Sequence, residues 1–147
     1  MNLYADTSAL IKKYIQEAGS EKTNAYFDLF PFIGTAALTH AEVASAMSKA
    51  VRLGWVDEAS ATTAWQVFLT HWQGYIRLPV TSAVIAQAAS LSWRRGLRAY
   101  DAVHLACALT WKGISGDEVV FACFDQSLLK AADEEGLKVW PEADQAD

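Results

Sequence analysis

Basic residues, cysteines and long apolar runs are all scarce in this chain. Twelve Lys and Arg stand against 17 Asp and Glu, a net charge of −5. That balance excludes nucleic-acid binding by bulk charge, since phosphate contacts are made by Lys and Arg. No apolar stretch reaches the roughly 18 residues needed to span a bilayer, and no basic segment leads into a signal-type apolar core. A cytoplasmic protein with no membrane partner is therefore expected. The two cysteines, Cys107 and Cys123, lie in apolar surroundings without C-x-x-C spacing. Buried free thiols are expected from them rather than a disulfide or a zinc site. Also missing are a G-x-S-x-G elbow, a Gly-rich phosphate loop and a paired Cys and His, so the common nucleophilic and nucleotide-binding arrangements are excluded.

What is present suffices for a core: 52% of the 147 residues are hydrophobic, six of them Trp. A chain of this length buries roughly two thirds of its unfolded surface, and with no repeat, low-complexity segment or linker, residues 1–147 form one domain. Short apolar runs alternate with longer segments of helical period, the pattern of a mostly parallel sheet covered on both faces. Strands are expected at Asn2–Ala5, Phe32–Leu38, Tyr75–Pro79, Glu118–Phe124 and Leu137–Trp140. Helices are expected at Ser8–Gln16, Ser20–Phe30, Ala41–Leu53, Asp57–Gln73, Ser82–Arg94, Tyr100–Lys112 and Gln126–Glu135. In the fifth, Val84, Ile85, Ala88, Ala89 and Leu91 share an apolar face. Gly19, Gly54, Gly96, Gly113 and Gly136 fall just past helical patterns, where a left-handed residue closes a helix. The polar ending EADQAD is expected to fray. The fold class is thus a three-layer α/β/α domain with about five strands.

The acids carry the chemistry. Asp6 follows the first strand, Glu42 the second and Asp125 the fourth, each near a strand's carboxyl end, whereas Asp101 opens the helix leading into the fourth strand. Open parallel sheets bind ligands at that edge, at a topological switch point. Each acid also has a plainer reading. Asp6 or Thr7, and likewise Asp125, suit helix N-caps, Thr39 and Glu42 form the T-x-x-E of a capping box, and Asp101 suits a positive helix end. Taken together the plainer readings weaken, because carboxylates crowded at one edge repel unless a cation stands between them. Hard oxygen donors of this kind suit Mg²⁺ or Mn²⁺.

The D-T-S of Asp6, Thr7 and Ser8, the LTHAEVASA carrying Glu42, the RAYDAVHLA around Asp101 and the FACFDQSLLKAA around Asp125 together resemble the PIN-domain ribonucleases, specifically the toxin of a VapC-type toxin–antitoxin pair. The resemblance covers nearly the whole chain, with one departure: Phe124 stands where a small polar residue is common. It implies a magnesium-dependent endoribonuclease, with Mn²⁺ as an alternative ion. By that resemblance Asp6 and Asp101 are the metal ligands, Asp125 completes the site, Glu42 orients water or a second ion, and Ser8 contributes its hydroxyl to substrate binding. Chemistry by a recruited cation escapes the charge objection locally. A cognate antitoxin that blocks the cleft with a basic side chain, and a homodimer, are further implications.

Attraction of RNA falls to Lys12, Lys13, Arg94, Arg95 and above all Arg98, nearest to Asp101; solvated helix ends are the plainer reading of these cations. His104, three residues after Asp101 and on roughly the same helix face, is expected as a core or hydrogen-bonded histidine. Trp55, Trp65 and Trp72 are expected mostly in the core. The alternatives are a PIN nuclease for housekeeping RNA processing, a non-catalytic binding module and a receiver-type signalling domain. The last would require an acidic pair after the first strand and a lysine after a late one, and neither is present.

Overall fold

The computed structural model describes residues 1–142, so all of the expected fraying tail but Glu142 lies outside the described residues. Five strands, β1 (Asn2–Ala5), β2 (Ile33–Ala36), β3 (Ile76–Leu78), β4 (Val119–Ala122) and β5 (Lys138–Trp140), form one parallel sheet in the order β3-β2-β1-β4-β5. The helices are α1 (Thr7–Leu10), α2 (Ser20–Phe27), α3 (Thr39–Arg52), α4 (Glu58–Trp72), α5 (Ser82–Arg95), α6 (Ala99–Ser115) and α7 (Gln126–Glu134). All five strands lie within their expected spans.

Strand alternation sorts the core into two layers. Tyr4, Val119, Phe121 and Cys123 face one apolar cluster, which they share with α5, α6 and α7. Leu3, Ala5, Val120 and Ala122 face the other, with α1 to α4. The period of two is what delivers both faces of a buried strand to helices. At Gly34 of β2 the packing against α6 is tight: a Cβ there would come within 2.3 Å of the Trp111 ring. Only glycine lets α6 lie that near β2.

Three local expectations are corrected. The first helix does not run Ser8–Gln16: α1 gives way to a 3₁₀ turn at Ile11–Lys13. Tyr14 is drawn instead into hydrogen bonds with His71 and Tyr75 and an edge-on contact with Phe68. Gly113 does not end its helix; α6 continues to Ser115, held down through Trp111, and Gly116 supplies the left-handed closure at φ 72°. On α5, Val84, Ala88 and Leu91 are buried but Ile85 and Ala89 are exposed, so the apolar face is narrower than the sequence pattern. Of the tryptophans, Trp72 is buried while Trp55 is exposed beside Lys49. No helix among the described residues is long and apolar enough to cross a membrane.

Candidate active site

The strand order reverses between β1 and β4, since the chain proceeds outward from β1 through β2 to β3 and then returns to place β4 on β1's other side. The crevice beyond the carboxyl ends of such a pair is the ligand position of an open α/β sheet. Asp6 leaves β1 there and Asp125 follows β4 closely. The Asp6 N–H donates to the Ala122 carbonyl at 3.1 Å, so the inter-strand ladder itself sets the acid's position.

Asp6 is buried, and its Oδ1 accepts from the Ala9 N–H at 3.0 Å and the Ser8 hydroxyl at 2.7 Å. Ser8 Oγ in turn accepts from the Phe124 N–H at 2.9 Å. The hydroxyl assigned by resemblance to the substrate thus serves to orient Asp6 and to tie α1 to the end of β4. Phe124 has a place of its own, edge-on to Trp140 with the Lys12 ammonium 4.5 Å from its ring centroid. Burial pushes the Asp6 carboxyl above the usual range, only partly offset by the nearby His104 and the hydrogen bonds it accepts.

Glu42 lies in the first turn of α3, but there is no capping box. The helix begins one residue earlier than the motif requires, with Leu38 at its N-cap. Thr39 is buried, and its hydroxyl meets that of Thr35 at 2.7 Å. The carboxylate instead turns to the sheet edge, where Oε1 accepts from Thr7 Oγ1 at 2.8 Å and from His104 Nε2 at 2.6 Å. Burial opposes the Glu42 charge, yet the His104 hydrogen bond and charge, with Thr7, outweigh it and hold the carboxyl below its ordinary value. His104 itself is 2% exposed and meets the Tyr4 hydroxyl through Nδ1 at 2.8 Å.

Asp101 sits in the first turn of α6, one turn before His104. Its Oδ2 accepts from Arg98 Nε at 3.2 Å, and Arg98 Nη2 lies 3.5 Å from Asp125 Oδ2. One guanidinium therefore bridges two of the acids, backed by the Tyr100 ring with 5.0 Å to the centroid. Burial raises the Asp101 carboxyl, Arg98 pulls it down, and repulsion from Asp125 adds to the rise; the net is upward. Asp125 Oδ1 meanwhile accepts from the Leu128 N–H at 2.9 Å as the N-cap of α7. Among the described residues no three His, Cys, Asp or Glu side chains are arranged to hold an ion as they stand. The donor chemistry nevertheless suits a hard cation, because positive charge already lies between Asp101 and Asp125.

The other expected cations are engaged elsewhere. Arg94 and Arg95 pair with Glu135, and Arg95 also with Glu134, at the end of α7. Lys12 bonds Glu17 and the Ala18 carbonyl. Arg98 alone of the five reaches the acids. In the sequence Thr7 offers only a helix cap within D-T-S, with nothing to show that its hydroxyl meets Glu42, and Tyr4 looks like one more apolar strand residue. A groove of about 400 Å³ between α3 and α4, walled by Met47, Val51 and Trp65, contains none of the four acids.

A doubly wound parallel α/β domain with carboxylates gathered at its switch point is the class these features define. The PIN domain family model matches residues 3–134, and the chain belongs to that family. It is 30% identical over 139 residues to Ribonuclease VapC45 of Mycobacterium tuberculosis (strain CDC 1551 / Oshkosh), covering 95% of this chain and 94% of that protein. Ribonuclease VapC49 of Mycobacterium tuberculosis (strain ATCC 25618 / H37Rv) is related at the same identity over the same shares. Among solved structures, PAE2754 from Pyrobaculum aerophilum superposes with a TM-score of 0.65 at 22% identity, over 95% of this chain and 83% of that one. A chain of a toxin–antitoxin complex from Klebsiella pneumoniae does so with a TM-score of 0.56 at 16% identity, over 82% and 84%. These two likenesses concern the fold alone.

Proposed function

We propose that this protein is a metal-dependent endoribonuclease that hydrolyses RNA phosphodiester bonds and serves as the toxin of a toxin–antitoxin pair. The observation that supports this reading is that Asp6 follows β1 and Asp125 follows β4 at the switch-point edge, that Glu42 is tied to Thr7 beside Asp6, and that Arg98 joins Asp101 to Asp125, with Asp6 and Asp101 both displaced toward the neutral acid. Ribonuclease relatives spanning nearly the full chain support the substrate class.

Asp6 and Asp101 are the residues that would hold the cation, Mg²⁺ or Mn²⁺ by their oxygen donors. When bound, the ion supplies positive charge against the scissile phosphate and a water of lowered pKa. The chain's own groups do the rest. Ser8 and the Ala9 amide fix Asp6; Glu42 orients the attacking water; Asp125 shares the positive charge at Asp101; and Arg98, 64% exposed, is the cation placed to meet an RNA phosphate once released from the acids. A toxin of this kind acts in the cytoplasm, is neutralised by an antitoxin protein and forms a homodimer. The fold likeness to a chain of a toxin–antitoxin complex is in keeping with the antitoxin partner.

The test is cleavage of single-stranded RNA by the purified protein with Mg²⁺ or Mn²⁺, repeated with Asp6→Asn and Asp101→Asn. Cleavage by the wild type that is lost in both folded variants is expected. Equal cleavage by wild type and variants, or none by any of them with either ion, overturns the assignment. Growth arrest on expression, relieved by the antitoxin, separates a toxin from a housekeeping nuclease.

A further inference from the structure

His104 is a buried titratable side chain at the site to which neither the resemblance nor the proposed reaction gives a role. Its ring lies between the Tyr4 hydroxyl, 2.8 Å from Nδ1, and Glu42 Oε1, 2.6 Å from Nε2. Tyr4 is fully buried and stacked on Phe121 with 5.4 Å between centroids, so the ring is held in place from the core side. A carboxylate oxygen only accepts, so the contact at Nε2 requires a hydrogen on that nitrogen, and Nε2–H donates to Glu42.

Both hydrogen bonds to Glu42, from His104 and from Thr7, fall on Oε1. Among the described residues Oε2 has no donor, and the side chain retains 24% of its exposure. The two donors are also the neighbours of the proposed ligands: Thr7 directly follows Asp6, and His104 lies one helical turn beyond Asp101. Any shift of β1 or α6 that moves a ligand moves Glu42 with it.

We propose that His104, held from the core side by Tyr4 and donating through Nε2–H, is a positioning residue that anchors Glu42 Oε1 and so leaves Oε2 as the working oxygen of the reaction. This rests on the nuclease reading, in which Glu42 orients the attacking water. A histidine in this place is more than core packing, because an apolar residue would fill the volume but leave Glu42 held by Thr7 alone.

Two near-isosteres separate positioning from mere structure. The amide nitrogen of His104→Gln falls where Nε2 lies and retains the donor to Glu42, while orphaning the Tyr4 hydroxyl. His104→Asn keeps a partner for Tyr4 but leaves Glu42 with Thr7 only. Each removes one hydrogen bond of the native ring, so both lose some stability. Cleavage should nevertheless divide them: kcat falls less than about threefold in His104→Gln and about tenfold or more in His104→Asn, the cost of a misplaced catalytic group. KM and Mn²⁺ affinity by calorimetry should change little in either. Equal kcat losses in the two variants overturn the proposal.

A readout independent of activity distinguishes this failure from failure of the nuclease reading. Long-range ¹H–¹⁵N correlation should show His104 carrying a hydrogen on Nε2. A bare Nε2 overturns the positioning claim even if RNA is cut. A hydrogen on Nε2 in a protein that cuts no RNA leaves the hydrogen-bond assignment standing, but overturns both the nuclease reading and the catalytic part of this one.

Discussion

Replacing Asp6 by Asn should make the protein more stable while removing its activity. The carboxylate is buried, and Oδ1 alone accepts two hydrogen bonds, from Ala9 and Ser8. Taking an ion from water costs several kcal/mol even after relaxation, and hydrogen bonds to a charged acceptor return about 1.5–3 kcal/mol each. The upward displacement of the carboxyl says that the cost wins. Asn keeps the carbonyl acceptor and is as good an N-cap as Asp, so the relief is a net gain on the order of 1 kcal/mol, or about 2–4 °C in Tm for a domain of this size. Asp6→Ala, which removes the acceptor from both Ala9 and Ser8, should instead cost about 1–3 kcal/mol. The pH dependence has a definite sign. An acid whose folded pKa is raised adds stability below its unfolded pKa and loses it as pH rises through the folded value. The advantage of Asn should therefore be greatest at neutral pH and vanish below the ordinary aspartate range near pH 4. Calorimetric melting of wild type and both variants across pH 3–8 measures it. A lower Tm for Asp6→Asn than for wild type at pH 7 would show that the charge is compensated in the ion-free site, and the argument from crowded carboxylates would fail.

Glu42→Gln should show the opposite slope. Its carboxyl is held below the ordinary value, so wild type is the more stable protein at pH 7 and the gap closes as acid takes the pH down through the folded pKa; parallel melts with the Asp6 series reveal it. Arg98→Ala removes the guanidinium that bridges Asp101 and Asp125, so calorimetry should find tighter Mn²⁺ binding together with a higher KM for RNA. Weaker ion binding would mean that Arg98 supports the site rather than competing for it. Gly34→Ala places a methyl against Trp111 and should cost about 1–3 kcal/mol as overpacking, read by denaturant unfolding. Trp111→Leu in the same chain should recover much of that loss, because the two sites are in contact.

Strand positions were legible because a buried parallel strand must be apolar along its length, and the acids were legible because they punctuate those runs in order. Long-range choices of partner were not. Thr39 and Glu42 satisfy the capping-box spacing, yet the bond from Thr35 to the Ala5 carbonyl and its contact with Thr39 fix α3 against the sheet, and Glu42 is claimed by residues 35 and 62 positions away. Arg94 and Arg95 looked like part of a basic patch because nothing local shows that Glu134 and Glu135 come to meet them. The first helix broke for a similar reason, since the pull on Tyr14 originates in α4 and the residues just after it. In each case a local signal of about 1 kcal/mol or less yielded to tertiary packing.

The capping reading of Asp6 and Asp125 holds, and it is compatible with the proposed ligand role. Each caps a helix that starts where its strand ends, and in each the capping bonds engage Oδ1. A cap bond fixes the side-chain rotamer, so it does for a metal or substrate ligand what a dedicated supporting residue does elsewhere. At Asp125 the consequence is visible, with Oδ1 bound to Leu128 and Oδ2 facing Arg98. Asp101 lacks such a bond: it lies inside the first turn of α6 rather than at its cap, and Arg98, mostly solvent-exposed, is the partner that holds it. The site therefore has a rigid half, built on β1 and β4, and a half set by the long, exposed side chain of Arg98 at the start of α6. Ion binding should reorganise the second half and leave the first in place, because releasing Arg98 costs little at an exposed ion pair, whereas moving Asp6 would break the cap of α1 and its tie to β4.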